Sequence, residues 1–97
     1  MALKANDIVT VITQNGEYVG KLVSQDGSTV ELKNPRFLTM SEQGMGFSNG
    51  IAMTGEHDPK ECVLYNISLV VKTNEEVANA YRQMTSGLVA PQSSLIV

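Results

Sequence analysis

Tryptophan is absent, cysteine and histidine occur once each, and three tyrosines and two phenylalanines are the only aromatic side chains in 97 residues. The single cysteine, Cys62, excludes an internal disulfide framework and a cysteine-based structural zinc. Cations are scarce: seven Lys and Arg face ten Asp and Glu, for a net charge of −3. That balance argues against a generally basic nucleic-acid coat and leaves room for a local basic patch. No apolar run approaches the ~20 residues of a spanning helix. Met1-Ala2-Leu3-Lys4 lacks the apolar region of a signal peptide, so the expectation is an intracellular soluble domain with no membrane partner. There is no internal repeat and no low-complexity tract. With 42% hydrophobic and 18% charged residues, a packed core is within reach, and the length suits one domain over residues 1–97.

The elements follow from periodicity and turn chemistry. Residues 8–13 (Ile-Val-Thr-Val-Ile-Thr) are β-branched throughout and predict a strand. Asn15-Gly16 is a hairpin turn signal, since both residues tolerate positive φ. A second strand follows from Tyr18, a second tight turn falls at Asp26-Gly27, and a third strand starts at Thr29. Val30, Leu32, Leu38 and Met40 share one parity, which predicts a bend at Asn34-Pro35 without a slip of register. Strong bends in long strands suit a small closed barrel. Residues 42–59, broken by glycines, read as a loop or as a hairpin extension with a short strand through Phe47.

From Cys62 to Lys72 the strand pattern returns. Val63, Tyr65, Ile67, Leu69 and Val71 alternate as one apolar face, and Leu64 and Val70 lie on the other. A chain this small hardly covers both faces alone, which implies a partner subunit. Thr73 with Glu76 predicts a capping box, followed by a helix over residues 74–86 with Val77, Tyr81, Met84 and Leu88 as its apolar stripe and Gly87 as its C-cap. Residues 87–97 form a tail, frayed or docked on a neighbour.

Gly20, Leu22 and Asp26 stand at Gly-x-Leu-x-x-x-Asp spacing after the turn glycine Gly16. The segment resembles the first motif of the Sm/LSm (Hfq-like) family, in particular the small Sm-like proteins carried by marine cyanophages. The resemblance spans residues 7–72. The strand after Cys62 has the shape of the family's second motif but carries Tyr65-Asn66 where the family has Arg-Gly. The family's base-contacting Asn after the Asp is missing, and the clear helix follows the strands instead of preceding them. The resemblance implies a strongly bent five-stranded antiparallel barrel, here with one C-terminal helix. It also implies a homo-oligomeric ring of roughly five to seven copies, in which the last strand of one subunit pairs with an exposed strand of the next. Asp26 would support the binding loop without touching the base.

Lys33, Asn34, Arg36 and Phe37 place two cations, an amide and an aromatic within five residues. They suit phosphate attraction with base stacking, and equally a solvated bend on an ordinary strand. In a ring, Tyr65 offers a stacking face and Asn66 a base-edge donor and acceptor, although the parity of Tyr65 also suits core packing. Phe47 on a flexible glycine-rich arm would be a further stacking group; Gly44, Gly46 and Gly50 match no phosphate-loop spacing. His57 stands among acids in a charged turn, with no second His or Cys at metal-ligand spacing. Cys62 opens an apolar strand, where cysteine packs as a small hydrophobe.

No cofactor is implied, and no nucleophile or acid–base constellation is readable. The expected function is therefore non-enzymatic. It is a ring that binds single-stranded nucleic acid, RNA before DNA, as a processing or chaperone accessory of a phage in its host's cytoplasm. The alternative is a structural or assembly module that binds no nucleic acid.

Overall fold

The β-branched run forms its strand, and the whole sheet is built outward from it. The computed structural model describes residues 3–48 and 50–85. Its elements are β1 (Ile8–Thr13), β2 (Gly16–Asp26), β3 (Thr29–Ser41), β4 (Gly44–Ser48), β5 (Glu61–Leu64), β6 (Leu69–Lys72) and α1 (Glu75–Thr85). Every pairing is antiparallel. The sheet order is β4-β3-β2-β1-β6, with β5 also paired to β3.

β1 and β2 pair from Ile8↔Lys21 to Thr13↔Gly16. The turn therefore centres on Gln14 and Asn15, one residue earlier than the Asn-Gly signal implies. Thr13 closes it: its Oγ1 accepts the amides of Asn15 and Gly16 at 3.0 and 3.2 Å.

β3 is the long bent strand, but its register does slip. Lys33 pairs with Lys21 and Arg36 with Val19, so three steps on β3 match two on β2. The extra residue is a bulge in which Asn34 adopts φ +51°. Beyond it the faces exchange: Val30, Leu32 and Phe37 pack on one side, Leu38 on the other, and Met40 is left exposed. The shared parity of Val30, Leu32, Leu38 and Met40 is thus a sequence coincidence across a bulge.

The bend also divides the outer edge of β3 between two partners. β5 pairs along its first half, from Val30↔Leu64 to Lys33↔Glu61. β4 pairs along its second half, from Phe37↔Ser48 to Ser41↔Gly44, so the glycine-rich segment begins as a hairpin extension.

The continuous strand expected after Cys62 is two short ones. Asn66 takes φ +57° and breaks it. β5 ends on β3 and β6 begins on β1, at opposite margins of the sheet. The expected closed five-stranded barrel is thus a six-stranded antiparallel sheet that is not closed as a barrel, because the chain crosses between margins through residues 65–68 without a ladder between β5 and β6.

Both faces carry a core. One side buries Val9, Val11, Tyr18, Leu22, Val30 and Leu32, with Cys62, Leu64, Ile67 and Val70 against them. The other buries Ile8, Val19 and Phe47 under Ala78 and Tyr81 of α1. The helix and β4 therefore cover much of the second face from within the same chain. Phe47 is held there, its ring edge-on to Tyr81 at 6.3 Å, which removes it as a stacking group on a flexible arm.

The cap of α1 lies one residue later than Thr73. Asn74 Oδ1 accepts the Val77 amide at 2.9 Å, while the Thr73 hydroxyl pairs with that of Thr10 at 2.8 Å. Glu75 and Glu76 open the helix, as the dipole favours. Leu88, Gly87 and the tail lie outside the described residues.

Candidate nucleic-acid interface

The candidate residues separate into two groups at opposite ends of β5. At one end the Asp26-Gly27-Ser28 turn meets the connector between β5 and β6. The Ile67 amide donates to the Ser28 carbonyl at 3.0 Å, and the next amide, Ser68, donates to Ile12 at 2.8 Å. Two backbone bonds thus pin the connector across the open end of the sheet. Ile67 turns inward against the first core. Tyr65 and Asn66 are left outside, Tyr65 at 68% exposure, so core packing is not its role. The apolar face expected through Val63, Tyr65, Leu69 and Val71 is the outward one; Cys62, Leu64 and Val70 are the half-buried set. Asp26 is exposed at the end of β2 beside Gly27, which takes φ +63°.

At the other end lie Lys33, Asn34, Arg36 and Phe37, and they do not form one surface. Lys33 is exposed, opposite Glu61 of β5. Asn34 is fixed through its backbone: its amide donates to the Lys60 carbonyl at 2.7 Å, and its carbonyl accepts the Tyr81 hydroxyl at 2.7 Å. Phe37 is half-buried, edge-on to Tyr18 at 5.1 Å and directly over Gly16. Arg36 is buried, where a solvated bend would have exposed it. Its Nη1 donates to the Pro35 carbonyl at 2.8 Å, and its Nη2 lies 3.1 Å from Asp58 Oδ1. Lys60 approaches the second oxygen of Asp58 at 4.0 Å. Asp58 is the partner that sequence reasoning missed, because in sequence it is one acid among several in a charged turn.

A groove of about 670 Å³ between the start of α1 and β1, β2 and β6 gathers Lys21, Lys72 and Arg82 with Asp7 and Glu75, so both signs of charge line it. Burial pushes the Cys62 thiol up to about 11, which keeps it protonated at neutral pH. Among the described residues no group of three His, Cys, Asp or Glu could hold a metal ion, and no helix is long and apolar enough to cross a membrane. Compared with family models, with curated proteins and with solved structures, the chain finds no match.

Proposed function

We propose that the protein is an Sm-like ring former that binds single-stranded nucleic acid, RNA in preference to DNA, at the surface made by the Asp26-Gly27-Ser28 turn and the β5–β6 connector. The observation that carries this reading is the backbone bond from Ile67 to Ser28, which sets exposed Tyr65 and Asn66 beside the turn that follows the Gly20, Leu22 and Asp26 motif. Tyr65 supplies a stacking face and Asn66 an amide for a base edge, with Asp26 bracing the turn. Each copy contributes one weak contact, and a ring multiplies it. Ring formation uses the edges of β5 and β6 that no described strand occupies, with Val63, Leu69 and Val71 exposed beside them. Lys33 is an accessible cation for the phosphate backbone, whereas Arg36 is buried against Asp58 and Phe37 is packed on Tyr18.

The test is filter binding of oligo-U, oligo-A and single-stranded DNA at two salt concentrations. Binding should be strongest to RNA, weaken with salt, and fall about 5- to 150-fold in Tyr65→Ala, in line with the ~1–3 kcal/mol that a base–aromatic stack contributes. Absence of binding at low salt by the folded protein overturns the proposal. The second reading, a structural or assembly module, is favoured by the net charge of −3 together with the inward commitment of Arg36. Under it, Lys33→Ala leaves function untouched while loss of β5 and β6 abolishes assembly.

A further inference from the structure

The Arg36–Asp58 contact is unusual for a purely structural ion pair. Arg36 is 95% buried, since only 5% of it is exposed, yet a single end-on oxygen reaches it. A guanidinium taken out of water is ordinarily held by a bidentate partner that fills two of its donors. Here Nη1 goes to the backbone, Nη2 to Asp58, and Nε has no partner among the described residues. Asp58 turns its second oxygen toward Lys60, so two cations share one carboxylate. The Asp58 side chain is itself 53% exposed, on a turn of residues 50–60. That turn is closed by a local bond from the Gly55 amide to the Ala52 carbonyl, and it joins the sheet through the Lys60 carbonyl and the Asn34 amide. The carboxylate therefore enters from solvent and leaves a buried donor unfilled.

We infer that Arg36 and Lys60 form a site for a phosphate group, which Asp58 occupies as an internal stand-in when no ligand is bound. A phosphate carries enough oxygens to take Nε–H and Nη2–H together and to face Lys60, which one Asp58 oxygen does not achieve. The site lies at the opposite end of β5 from the Tyr65 and Asn66 surface, so it stands or falls separately from the proposed function. Free phosphate and the phosphodiester of a nucleic acid share this chemistry.

The experiment is an NMR titration of the full chain with inorganic phosphate, and in parallel with oligo-U at matched phosphate concentration, following the Arg36 Nε–H resonance and the amides of residues 50–60. In the wild type, phosphate should move both as Asp58 is displaced. Asp58→Asn should bind phosphate about tenfold more tightly, because the competing charge is gone, and Lys60→Met should bind several-fold more weakly. A response to inorganic phosphate alone assigns the site to a free phosphate; a response to both assigns it to phosphodiesters as well. An unmoved Nε–H at saturating phosphate in the wild type overturns the inference, as does equal affinity in folded wild type and Asp58→Asn. Should Asp58→Asn fail to fold, the wild-type titration and Lys60→Met still decide it.

Discussion

Three protonated groups tie the fold to pH at the level of single residues. Burial raises the Cys62 thiol from its ordinary 9.0 to about 11. Burial likewise raises the Tyr81 hydroxyl from 10.0 to about 12, outweighing the opposing pull of the Arg36 cation. Tyr18 moves the same way, first through burial and then through the nearby Cys62. All three are neutral when protonated, and the folded state holds those protons more tightly than the unfolded chain. Their contribution is therefore complete below about pH 9 and is lost as pH rises toward about 12. The urea midpoint should fall steadily above about pH 9, and Cys62→Ala should flatten the first part of that fall. A midpoint unchanged up to about pH 11 would contradict the burial of these groups. Tyr81 has a second tie to the sheet, since its hydroxyl lies within donating distance of the Lys33 and Asn34 carbonyls at 3.2 and 2.7 Å. It thereby fastens the helix to the bulge that bends β3.

The β1–β2 hairpin gives a sharper test at the level of elements. Gly16 has φ +148°, and a Cβ added there would lie 2.5 Å from the Phe37 ring. Gly27 also has positive φ, at +63°, but a Cβ there meets nothing within 4 Å. Gly16→Ala combines backbone strain with a clash in the core, for a cost of about 2–4 kcal/mol. Gly27→Ala carries the strain alone, roughly 1–2 kcal/mol. Denaturant unfolding of both variants should rank them in that order; equal costs would mean that Phe37 does not rest on Gly16.

The same elements show what the sequence made legible. β1, the hairpin, the turn at Gly27 and the helix are local, and local chemistry announced them: β-branched residues, a glycine in each turn, two acids before an apolar stripe. The errors came where a residue's partner is distant. The bulge at Asn34 is set by the Lys60 carbonyl and the Tyr81 hydroxyl, 26 and 47 positions away in the numbering of the chain. The break at Asn66 is set by bonds to Ser28 and Ile12. Parity counts assume an unbroken strand: the bulge at Asn34 exchanged the faces beyond it, whereas the break at Asn66 turned only Ile67 inward and left Leu69 and Val71 on the same outward face as Val63 and Tyr65. Asn74 displaced Thr73 as cap because Thr73 is engaged by Thr10, a contact between β1 and the residue after β6 that no local motif encodes. Of the candidate site, the backbone bond from Ile67 to Ser28 brings the connector that carries Tyr65 and Asn66 to the turn after Asp26, a contact no local motif encodes, while Arg36 left the surface for an acid 22 residues away.

For the whole molecule, what counts is what the chain covers by itself. α1 and β4 close the second face over Ile8 and Val19, yet Val63, Leu69 and Val71 stay 44–49% exposed, all on β5 and β6, two of the three strands with a vacant edge among the described residues. Unpaired edges flanked by apolar side chains recruit other strands unless charge or a bulge blunts them. Lys72 and Glu61 are the charges on these strands, and each lies at an end, which leaves the middle of both edges free to pair. Antiparallel addition of β6 from one copy to β5 of the next would satisfy both edges and bury those side chains. Because that pairing would join two different edges, the contact would be head-to-tail and would terminate only by closing into a ring. Sedimentation of the wild type should then give a discrete multiple of 10.5 kDa. Val71→Asp places a carboxylate in the proposed seam at a position already half-exposed, so the fold should survive while the assembly falls to single copies. Oligo-U binding should drop with it, because the proposed surface gains its strength from repetition. A variant that stays assembled locates the contact elsewhere. One that dissociates yet binds RNA as tightly as before separates the ring from the binding and leaves Tyr65 and Asn66 to act within one chain.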